Sequence, residues 1–483
     1  MKKIIYLLIS TGLFIGCVDS LDDYNVDPKR ADLVTPETLY TSAIKSLADV
    51  LTSSDVNVNN FRLYVQHWTT TTYLDEPRYV LTSRAIPQNF WDRLYRDVIA
   101  DLAEAKRVLD ANELIDPDLK RNQRAQLEII EVYAWSILVN TFGNVPYREA
   151  MDPFNVLPKY DDAETIYKDL LGRLDDAIEM LNTRAAGFGN GELLYASKAA
   201  DMRIGHWRRL GNSIKLKMGM VLADIDPATT RRIVAEAAPN VFVSSADNAR
   251  FPYISDPPNN NPIASSLNPS FTTREDFLPA NTIVDVMNEL NDPRREFYFT
   301  KIDDLFKGGV YGFGNEYADF SKVHPTISAP NFEALILDFP EVRFLLAEAI
   351  ERGYISGDAE QEYNAAVTAS IRYWGGSEAD ASGYLEQPSV NYGAGGAIWK
   401  EKIGTQKWLA LYNRGWDAWF EWRRLDYPLL QPPSGPNIPT QLHIPSRIIY
   451  PINEQTINGA NRSAAAAAIG GDEATTKLFW DIE

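Results

Sequence analysis

Few residues of this sequence are spaced for catalysis or for metal binding. No HExxH, GxSxG or phosphate-binding glycine motif occurs. The sequence has four histidines, which stand far apart: His67, His206, His324 and His443. We therefore expect them to lie on the surface or in the packing rather than to ligate a metal. A glycosidase pair of carboxylates stays open, because a separation in space defines it, not a spacing in the chain.

Aromatic side chains make up 11% of the 483 residues, and several fall in segments rich in Pro, Asn and Ser. Exposed rings beside Asn, Arg and Asp suit carbohydrate capture, because the C–H faces of a sugar stack on a ring while polar neighbours satisfy its hydroxyls. Clefts of this kind can also hold extended peptides through backbone hydrogen bonds. The sequence thus favours a binding protein over an enzyme, and it predicts no cofactor.

Cys17 is the only cysteine, and the residues before it have the pattern of an export signal. A basic Met1–Lys3 precedes an apolar run over residues 4–15, which is too short to cross a bilayer. With Gly16 before the cysteine the segment resembles a lipobox, although Phe14 stands where Leu is usual. We expect a signal peptide over residues 1–16, then a lipidated Cys17 and an acidic tether over residues 17–35. The alternative is an ordinary signal peptide with a chance cysteine.

The charge balance narrows the range of partners. A net charge of −19 at pH 7 repels phosphate backbones and anionic headgroups, which argues against binding to nucleic acid or to anionic lipid surfaces. A single cysteine excludes an intramolecular disulfide and a Cys-rich metal site. The length of the chain suggests two or three packed subregions.

Helical periodicity dominates residues 36–239 and 340–428. Thr35-Pro36-Glu37 predicts a helix start, with Thr as N-cap and Pro in the first turn. Further helices are predicted through residues 61–68, from residue 87 onward, and over residues 126–141, 166–181 and 207–221. Paired helices with short turns predict a mainly all-α fold of tetratricopeptide-like hairpins, although no clean 34-residue period is visible.

Two segments lack this periodicity. Residues 240–339 are rich in Pro, Asn, Ser and Gly, which predicts a loop-rich insertion with some short strands. Residues 429–483 are predicted as a C-terminal loop segment, despite the alanine run at 464–468. Residues 36–483 are accordingly treated as one binding domain.

Several segments together resemble the SusD/RagB family, the nutrient-binding outer-membrane lipoproteins of Gram-negative bacteria. They are residues 137–151, 340–375, 406–428 and 444–481, and the tether from residue 21 looks like the N-terminus of the same group. The resemblance implies tetratricopeptide-like hairpins with a loop-rich region packed across them. It also implies a non-catalytic protein on the outer face of the cell, anchored in the outer membrane.

In this family the protein acts as a lid over a SusC-like TonB-dependent transporter, which imports oligosaccharides or oligopeptides. The resemblance therefore predicts such a transporter as partner and one of these two ligands. The residues alone leave two rival hypotheses about function open. One is a tetratricopeptide-type scaffold that binds only proteins, and the other is a lipid-anchored glycoside hydrolase.

The resemblance places the ligand on loops outside the hairpins, and two segments qualify, residues 68–79 and 311–317. The rings expected to stack on ligand are Trp68, Tyr73, Tyr79, Tyr311, Phe313 and Tyr317, and the side chains expected to hydrogen-bond it are Arg78 and Asn315. The alternative is that several of them pin long loops to the body.

The residues that carry the resemblance sit at helix ends and on apolar faces, so we expect them to be structural. They are Gly143, Pro146, Tyr147, Glu341, Glu348, Ala349, Arg423, Arg424, Asp426 and Pro428.

Overall fold

The computed structural model describes residues 34–482, and the chain there is mainly helical. Cys17 and the predicted signal and tether up to residue 33 lie outside the described residues. The helices of the first half are α1 (Pro36–Thr52), α2 (Phe61–Tyr64), α3 (Ile86–Asp92), α4 (Ala100–Ala111), α5 (Pro117–Phe142), α6 (Ala163–Met180), α7 (Arg203–Val221) and α8 (Pro227–Ala237). A π-helical stretch, Arg93–Ile99, joins α3 and α4.

The second half alternates short elements with longer helices. Its helices are α9 (Ala264–Leu267), α10 (Asn281–Glu289), α11 (Arg295–Tyr298), α12 (Phe339–Glu351), α13 (Ala359–Trp374), α14 (Glu378–Leu385), α15 (Trp399–Ala410), α16 (Gly415–Leu425), α17 (Ile452–Ile457) and α18 (Gly459–Ala468). None of the helices between residues 34 and 482 combines the length and the apolarity needed to cross a membrane.

Consecutive helices pack as pairs, α5 with α6, α7 with α8, α12 with α13 and α15 with α16. Short connections join the last three pairs, whereas residues 143–162 separate α5 from α6, and strong N-caps favour the arrangement. The side chains of Asp162, Asp338 and Asp358 each accept a hydrogen bond from a backbone N–H in the first turn of α6, α12 and α13. The prediction of a mainly all-α fold of helical hairpins is confirmed.

Three two-stranded antiparallel sheets tie distant segments together. Strand β1 (Trp68–Thr70) pairs with β5 (Phe277–Pro279). Strand β2 (Val145–Pro146) pairs with β3 (Tyr160–Asp161), and β4 (Ala249–Phe251) pairs with β6 (Ala334–Leu337). The first sheet fastens the loop-rich part of the chain to the helical array, and the third pairs two segments near the ends of the loop-rich part with each other.

The structure corrects several predicted boundaries. The helix expected over residues 61–68 ends at Tyr64, and Trp68 instead opens β1. Helix α5 starts at Pro117, because Asp116 caps it through its side chain. The helix ends at Phe142, and its C-cap Gly143 has a φ of 87° and a ψ of −125°, which are open to glycine alone.

The prediction of a loop over residues 429–483 is wrong for residues 452–468, where α17 and α18 lie. Alanine has the highest intrinsic helix propensity, so the run at 464–468 forms a helix once its face packs on the body. Ala465 and Ala466 are buried there.

The residues behind the family resemblance are structural, as expected. Arg424 lies between two buried carboxylates, its Nη1 2.6 Å from Glu348 Oε1 and its Nη2 2.8 Å from Glu421 Oε2. The Arg423 guanidinium stacks 3.4 Å from the ring centroid of Trp419. Asp426 ends α16 with a left-handed φ of 59°. Tyr147 packs edge-on against Trp135 with ring centroids 4.9 Å apart.

The same interior holds a second group of ion pairs between α7, α12 and α16. Lys217 Nζ lies 2.8 Å from Glu341 Oε1, and Arg414 Nη2 lies 2.7 Å from Glu341 Oε2. Arg414 also pairs with Asp417 at 2.9 Å. Together with Arg424, Glu348 and Glu421, these residues form what we call the buried ion network.

Candidate ligand-binding site

The two segments predicted to bind ligand lie against each other. The main-chain N–H of Asn315 donates to the carbonyl of Thr71 at 2.9 Å, and its side-chain amide donates to the carbonyl of Thr70 at 3.1 Å. Arg78 Nε donates to the carbonyl of Gly312 at 2.9 Å. Gly312 has a φ of 75°, and a Cβ there would lie 2.5 Å from the side chain of Pro433, so glycine is required.

Three of the predicted rings are buried inside this junction. Trp68 is 1% exposed and donates from Nε1 to the Tyr412 hydroxyl at 3.1 Å. Tyr311 is 6% exposed and donates to the carbonyl of Leu63 at 2.6 Å. Tyr79 is 8% exposed and lies 6.4 Å from the Tyr311 ring. Their faces are covered, so in this arrangement the three rings hold the loops on the body.

The hydroxyls of these tyrosines are kept neutral. Burial raises the pKa of Tyr79 to about 12, and it raises the pKa of Tyr311 well above its usual value. Neutral hydroxyls can donate the hydrogen bonds that fix the loops. Asn315 is also buried, and its side-chain oxygen accepts from the main-chain N–H of Val310 at 2.7 Å.

The remaining predicted residues lie closer to the solvent. Arg78, Phe313 and Tyr317 are partly buried, and the Lys322 ammonium sits 4.2 Å from the centre of the Tyr317 ring. Tyr73 is 50% exposed. The Tyr73 ring is therefore the most accessible of the predicted stacking surfaces.

Tyr73 lines a cavity of about 360 Å³, which we call the Tyr73 cavity. Three chain segments build it, residues 54–57, residues 70–84 and residues 265–277. The β1–β5 pairing, in which Thr70 stands opposite Phe277, brings the second and third segments together. The Thr70 hydroxyl donates to the carbonyl of Tyr73 and thereby fixes the start of the loop.

The polar residues of this cavity form pairs. Arg84 Nε donates to Glu76 Oε1 at 2.7 Å, and its guanidinium lies 5.5 Å from the Tyr73 ring centroid. This hydrogen bond raises the pKa of the Arg84 guanidinium, so the group stays charged. Arg274 Nε lies 3.4 Å from Asp276 Oδ2 on the opposite segment.

Two buried polar atoms of the cavity residues lack a hydrogen-bond partner within residues 34–482, Glu76 Oε2 and Ser54 Oγ. Buried polar atoms are normally paired, so an unpaired acceptor in a cavity wall is suited to a donor supplied by a ligand. Sequence analysis missed Glu76 and Arg84 as site residues, although both fall near Tyr73 in an aromatic, charged segment. It had no signal for Ser54 or Arg274, which the fold brings in from other segments.

No histidine is among the residues that line this cavity. His67 is fully buried with Nε2 3.1 Å from the carbonyl of Trp408, and burial lowers its pKa to about 3. His206 Nδ1 lies 2.8 Å from Asp247 Oδ1 in a separate buried contact. Across residues 34–482 no cluster of His, Cys, Asp and Glu is arranged to hold a metal ion.

Comparison with solved structures places most of the chain in a known architecture. A chitin-binding protein superposes with a TM-score of 0.77 at 24% identity, covering 93% of this chain and 100% of its own. A chitin-binding SusD homolog from Flavobacterium johnsoniae has a TM-score of 0.74 at 21% identity, over 92% of this chain and 99% of its own. A SusD homolog from Bacteroides uniformis has a TM-score of 0.74 at 25% identity, over the same shares of the two chains.

No curated protein sequence matches the chain significantly. The family model for SusD-like proteins, described as starch-binding and associating with the outer membrane, matches residues 28–451. With that match over most of its length, the chain belongs to the SusD-like family of outer-membrane nutrient-binding proteins.

Proposed function

We propose that this protein is a lipid-anchored, cell-surface binding protein that captures oligosaccharides and passes them to a SusC-like TonB-dependent transporter, over which it acts as a lid. The observation that carries the ligand-binding part is the Tyr73 cavity. It combines an exposed ring, a charged donor and an unpaired carboxylate oxygen in one pocket.

Each of these groups suits a sugar. The face of the Tyr73 ring stacks on the C–H face of a pyranose. Arg84 donates hydrogen bonds to ring or hydroxyl oxygens, and Glu76 Oε2 accepts from a hydroxyl or from the N–H of an acetamido group. Two structural relatives are described as chitin-binding, which supports an oligosaccharide over an oligopeptide.

The carboxylates of the cavity support binding rather than hydrolysis. Glu76 is paired with Arg84, Asp276 lies beside Arg274, and Asp55 accepts from the main-chain N–H of Asn57 at 2.9 Å. A glycosidase needs one carboxyl that stays protonated and a second one opposite it. Paired with cations or fixed in a turn, these acids stabilise the walls of a binding site.

Calorimetric titration of the purified protein with chito-oligosaccharides and malto-oligosaccharides tests this function. We expect saturable binding that Tyr73→Ala weakens, while Phe154→Ala, which removes an exposed ring outside the cavity, has no effect. Mass spectrometry of the same mixtures should show no new products. Binding of casein-derived peptides at the Tyr73 cavity would reassign the ligand, and product formation that follows the protein would favour the hydrolase.

The proposed transporter contact rests on an apolar loop between β2 and β3, residues 151–157. Phe154 is 95% exposed there, and Met151, Val156 and Leu157 are exposed beside it. Helix α17 adjoins this loop, because the side-chain amide of Asn458 donates to the carbonyl of Pro158 at 2.8 Å. Ile452 and Ile457 of this helix are exposed as well. A contiguous exposed apolar patch is typical of an interaction surface.

We assign this patch to the transporter, because the family is associated with the outer membrane and a lid must cover its barrel over a large area. Pull-down from solubilised outer membrane tests the assignment. Wild type and Tyr73→Ala should both bring down a large TonB-dependent barrel, and Phe154→Asp should not. Retention of the barrel by Phe154→Asp would place the contact elsewhere, whereas a wild type that comes down alone would favour the free-standing scaffold.

Anchoring through Cys17 completes the proposal, although this residue lies outside the described part of the chain. Cys17→Ala should leave the membrane fraction while its helical circular dichroism stays unchanged. A Cys17→Ala protein that remains in the outer membrane with the same detergent partitioning would refute lipidation.

A further inference from the structure

A second groove, of about 1010 Å³, lies on the same molecule and shares no lining residue with the Tyr73 cavity. One wall is the face of α13 that carries Asn364, Ala365 and Thr368. The other wall comes from the β4–β6 sheet and the loop before β6. We call it the α13 groove. Its volume lies at the upper end of the roughly 300–1000 Å³ typical of ligand sites, which is room for several sugar rings.

The charged groups of the α13 groove neutralise one another. Arg250 Nη1 lies 3.1 Å from Glu333 Oε1, and the Tyr373 hydroxyl donates to the same oxygen at 3.1 Å. Arg372 and Glu378 form a second pair at 2.7 Å. The groove therefore carries no net formal charge on a chain whose net charge is −19, and it neither repels nor attracts an ion strongly.

Four neutral polar side chains of the groove are not used as donors by the fold. Asn331, Asn364, Thr326 and Thr368 make no side-chain hydrogen bond to any residue within 34–482 as donor. The Phe332 ring is partly exposed and is itself supported by Trp374, with which it stacks at a centroid distance of 6.0 Å. An aromatic face bordered by free amides and hydroxyls provides both stacking and hydrogen bonds for a polyhydroxylated ligand.

We infer that the α13 groove is a second carbohydrate-binding site, which takes an uncharged oligosaccharide independently of the Tyr73 cavity. A peptide is disfavoured, because the groove has only the two-stranded β4–β6 sheet to offer a backbone and its charged groups are already paired with one another. Two separate sites on one molecule give a long glycan two points of attachment, which raises its overall avidity.

The test uses Tyr73→Ala as background, in which binding at the Tyr73 cavity is weakened roughly tenfold to a hundredfold, so that binding at the α13 groove can be measured separately. Calorimetry with chitohexaose, maltohexaose and xylohexaose should show a remaining binding event for at least one of them. Ala365→Trp, which fills the groove, should weaken that event by more than tenfold, and Asn364→Ala should weaken it by about threefold to tenfold. Ala111→Trp makes the same change at an exposed site outside the groove and should leave it unaltered.

The outcomes separate this inference from the proposed function. If Tyr73→Ala abolishes all glycan binding by an otherwise active protein, the second site does not exist and the proposed function stands. If the remaining binding is equal in the Ala365→Trp and Ala111→Trp variants, it lies elsewhere and the inference fails. The inference would also be overturned if peptides bound more strongly than the three hexasaccharides at the site that Ala365→Trp blocks. Thermal melting checks that each variant is folded.

Discussion

The buried ion network and the Tyr73 cavity use the same residue types in opposite ways. In the network every charge has a buried partner, as Arg424 has in Glu348 and Glu421. In the cavity Arg84 and Glu76 form one pair, but Glu76 Oε2 stays unpaired beside a half-exposed ring. Unpaired polar atoms occur in both regions, since Glu421 Oε1 of the network also lacks a hydrogen-bond partner. What distinguishes the cavity is exposure, because the Arg84 side chain is 32% exposed beside a half-exposed ring, whereas the charged groups of the network are buried.

This difference explains why the residues most typical of the family are poor guides to its ligand. Arg423, Arg424 and Glu348 carry the resemblance, and all three lie in the interior. The groups that line the cavity come from loops, which tolerate change and carry specificity.

The largest expected effect follows from breaking the network. Arg424→Ala leaves Glu348 and Glu421 buried without their main partner, and we expect a loss of about 3–5 kcal/mol in the free energy of unfolding. Urea unfolding followed by circular dichroism measures it. Arg372→Ala, which breaks an exposed pair with Glu378, is the matched control and should cost no more than about 0.5 kcal/mol. Similar losses in both variants would contradict the distinction.

A second comparison separates two aromatic residues five positions apart in the chain. Trp68→Ala removes a buried ring that contacts Tyr412 and Phe277, and should cost about 3–5 kcal/mol of stability. Tyr73→Ala should change stability by less than about 0.5 kcal/mol and lower glycan affinity roughly tenfold to a hundredfold. Unfolding curves measure the loss of stability in the two variants, and calorimetric titrations measure their loss of glycan affinity. An affinity loss in a fully stable Trp68→Ala protein would show that Trp68 contacts ligand.

Acid should weaken the buried ion network. Burial acts to raise the pKa of the Glu348 carboxyl, but the Arg424 guanidinium outweighs it and holds that pKa at about 2. The folded value lies below the unfolded one, so the stabilisation is complete above about pH 4.5 and is lost as the pH falls towards 2. Asp338 acts in the opposite direction, because burial raises its pKa.

We expect the contribution of Glu348 to the free energy of unfolding to fall by on the order of 3 kcal/mol between pH 5 and pH 2. Urea unfolding curves measure this loss, which shifts their midpoint to lower urea concentration. Glu348→Gln removes the titrating group and should flatten this decline. A wild-type midpoint that does not change between pH 5 and pH 3 would contradict the assignment of a low pKa to Glu348.

Sequence periodicity predicted the helical hairpins, because the apolar pattern and the caps of a long amphipathic helix lie close together in the chain. The start of α1 at Thr35 is an example, since its cap and proline are adjacent in the chain. The Tyr73 cavity could be predicted only in part. Its shape depends on a three-residue strand, β1, pairing with β5, and strands of that length leave no periodic signal. Trp68 and Tyr73 look alike in the sequence, and only that pairing buries the first and leaves the second exposed.

The smallest expected effect concerns the unpaired oxygen. Glu76→Gln keeps the shape of the side chain, so Gln can still accept from Arg84, but it replaces one acceptor oxygen with a donor. If Oε2 receives a hydrogen bond from a sugar hydroxyl, affinity should fall about threefold to tenfold, with a stability change within about 1 kcal/mol. Asp276→Asn alters a carboxylate of the same cavity that lies beside Arg274, and it serves as the control.

Calorimetry that shows equal affinities for wild type and Glu76→Gln, with Tyr73→Ala still impaired, would mean that ligand contacts the ring but not the carboxylate. The difference from the buried network would then rest on the exposed ring alone, and Glu76, whose side chain is buried, would be a structural residue like the acids of the network.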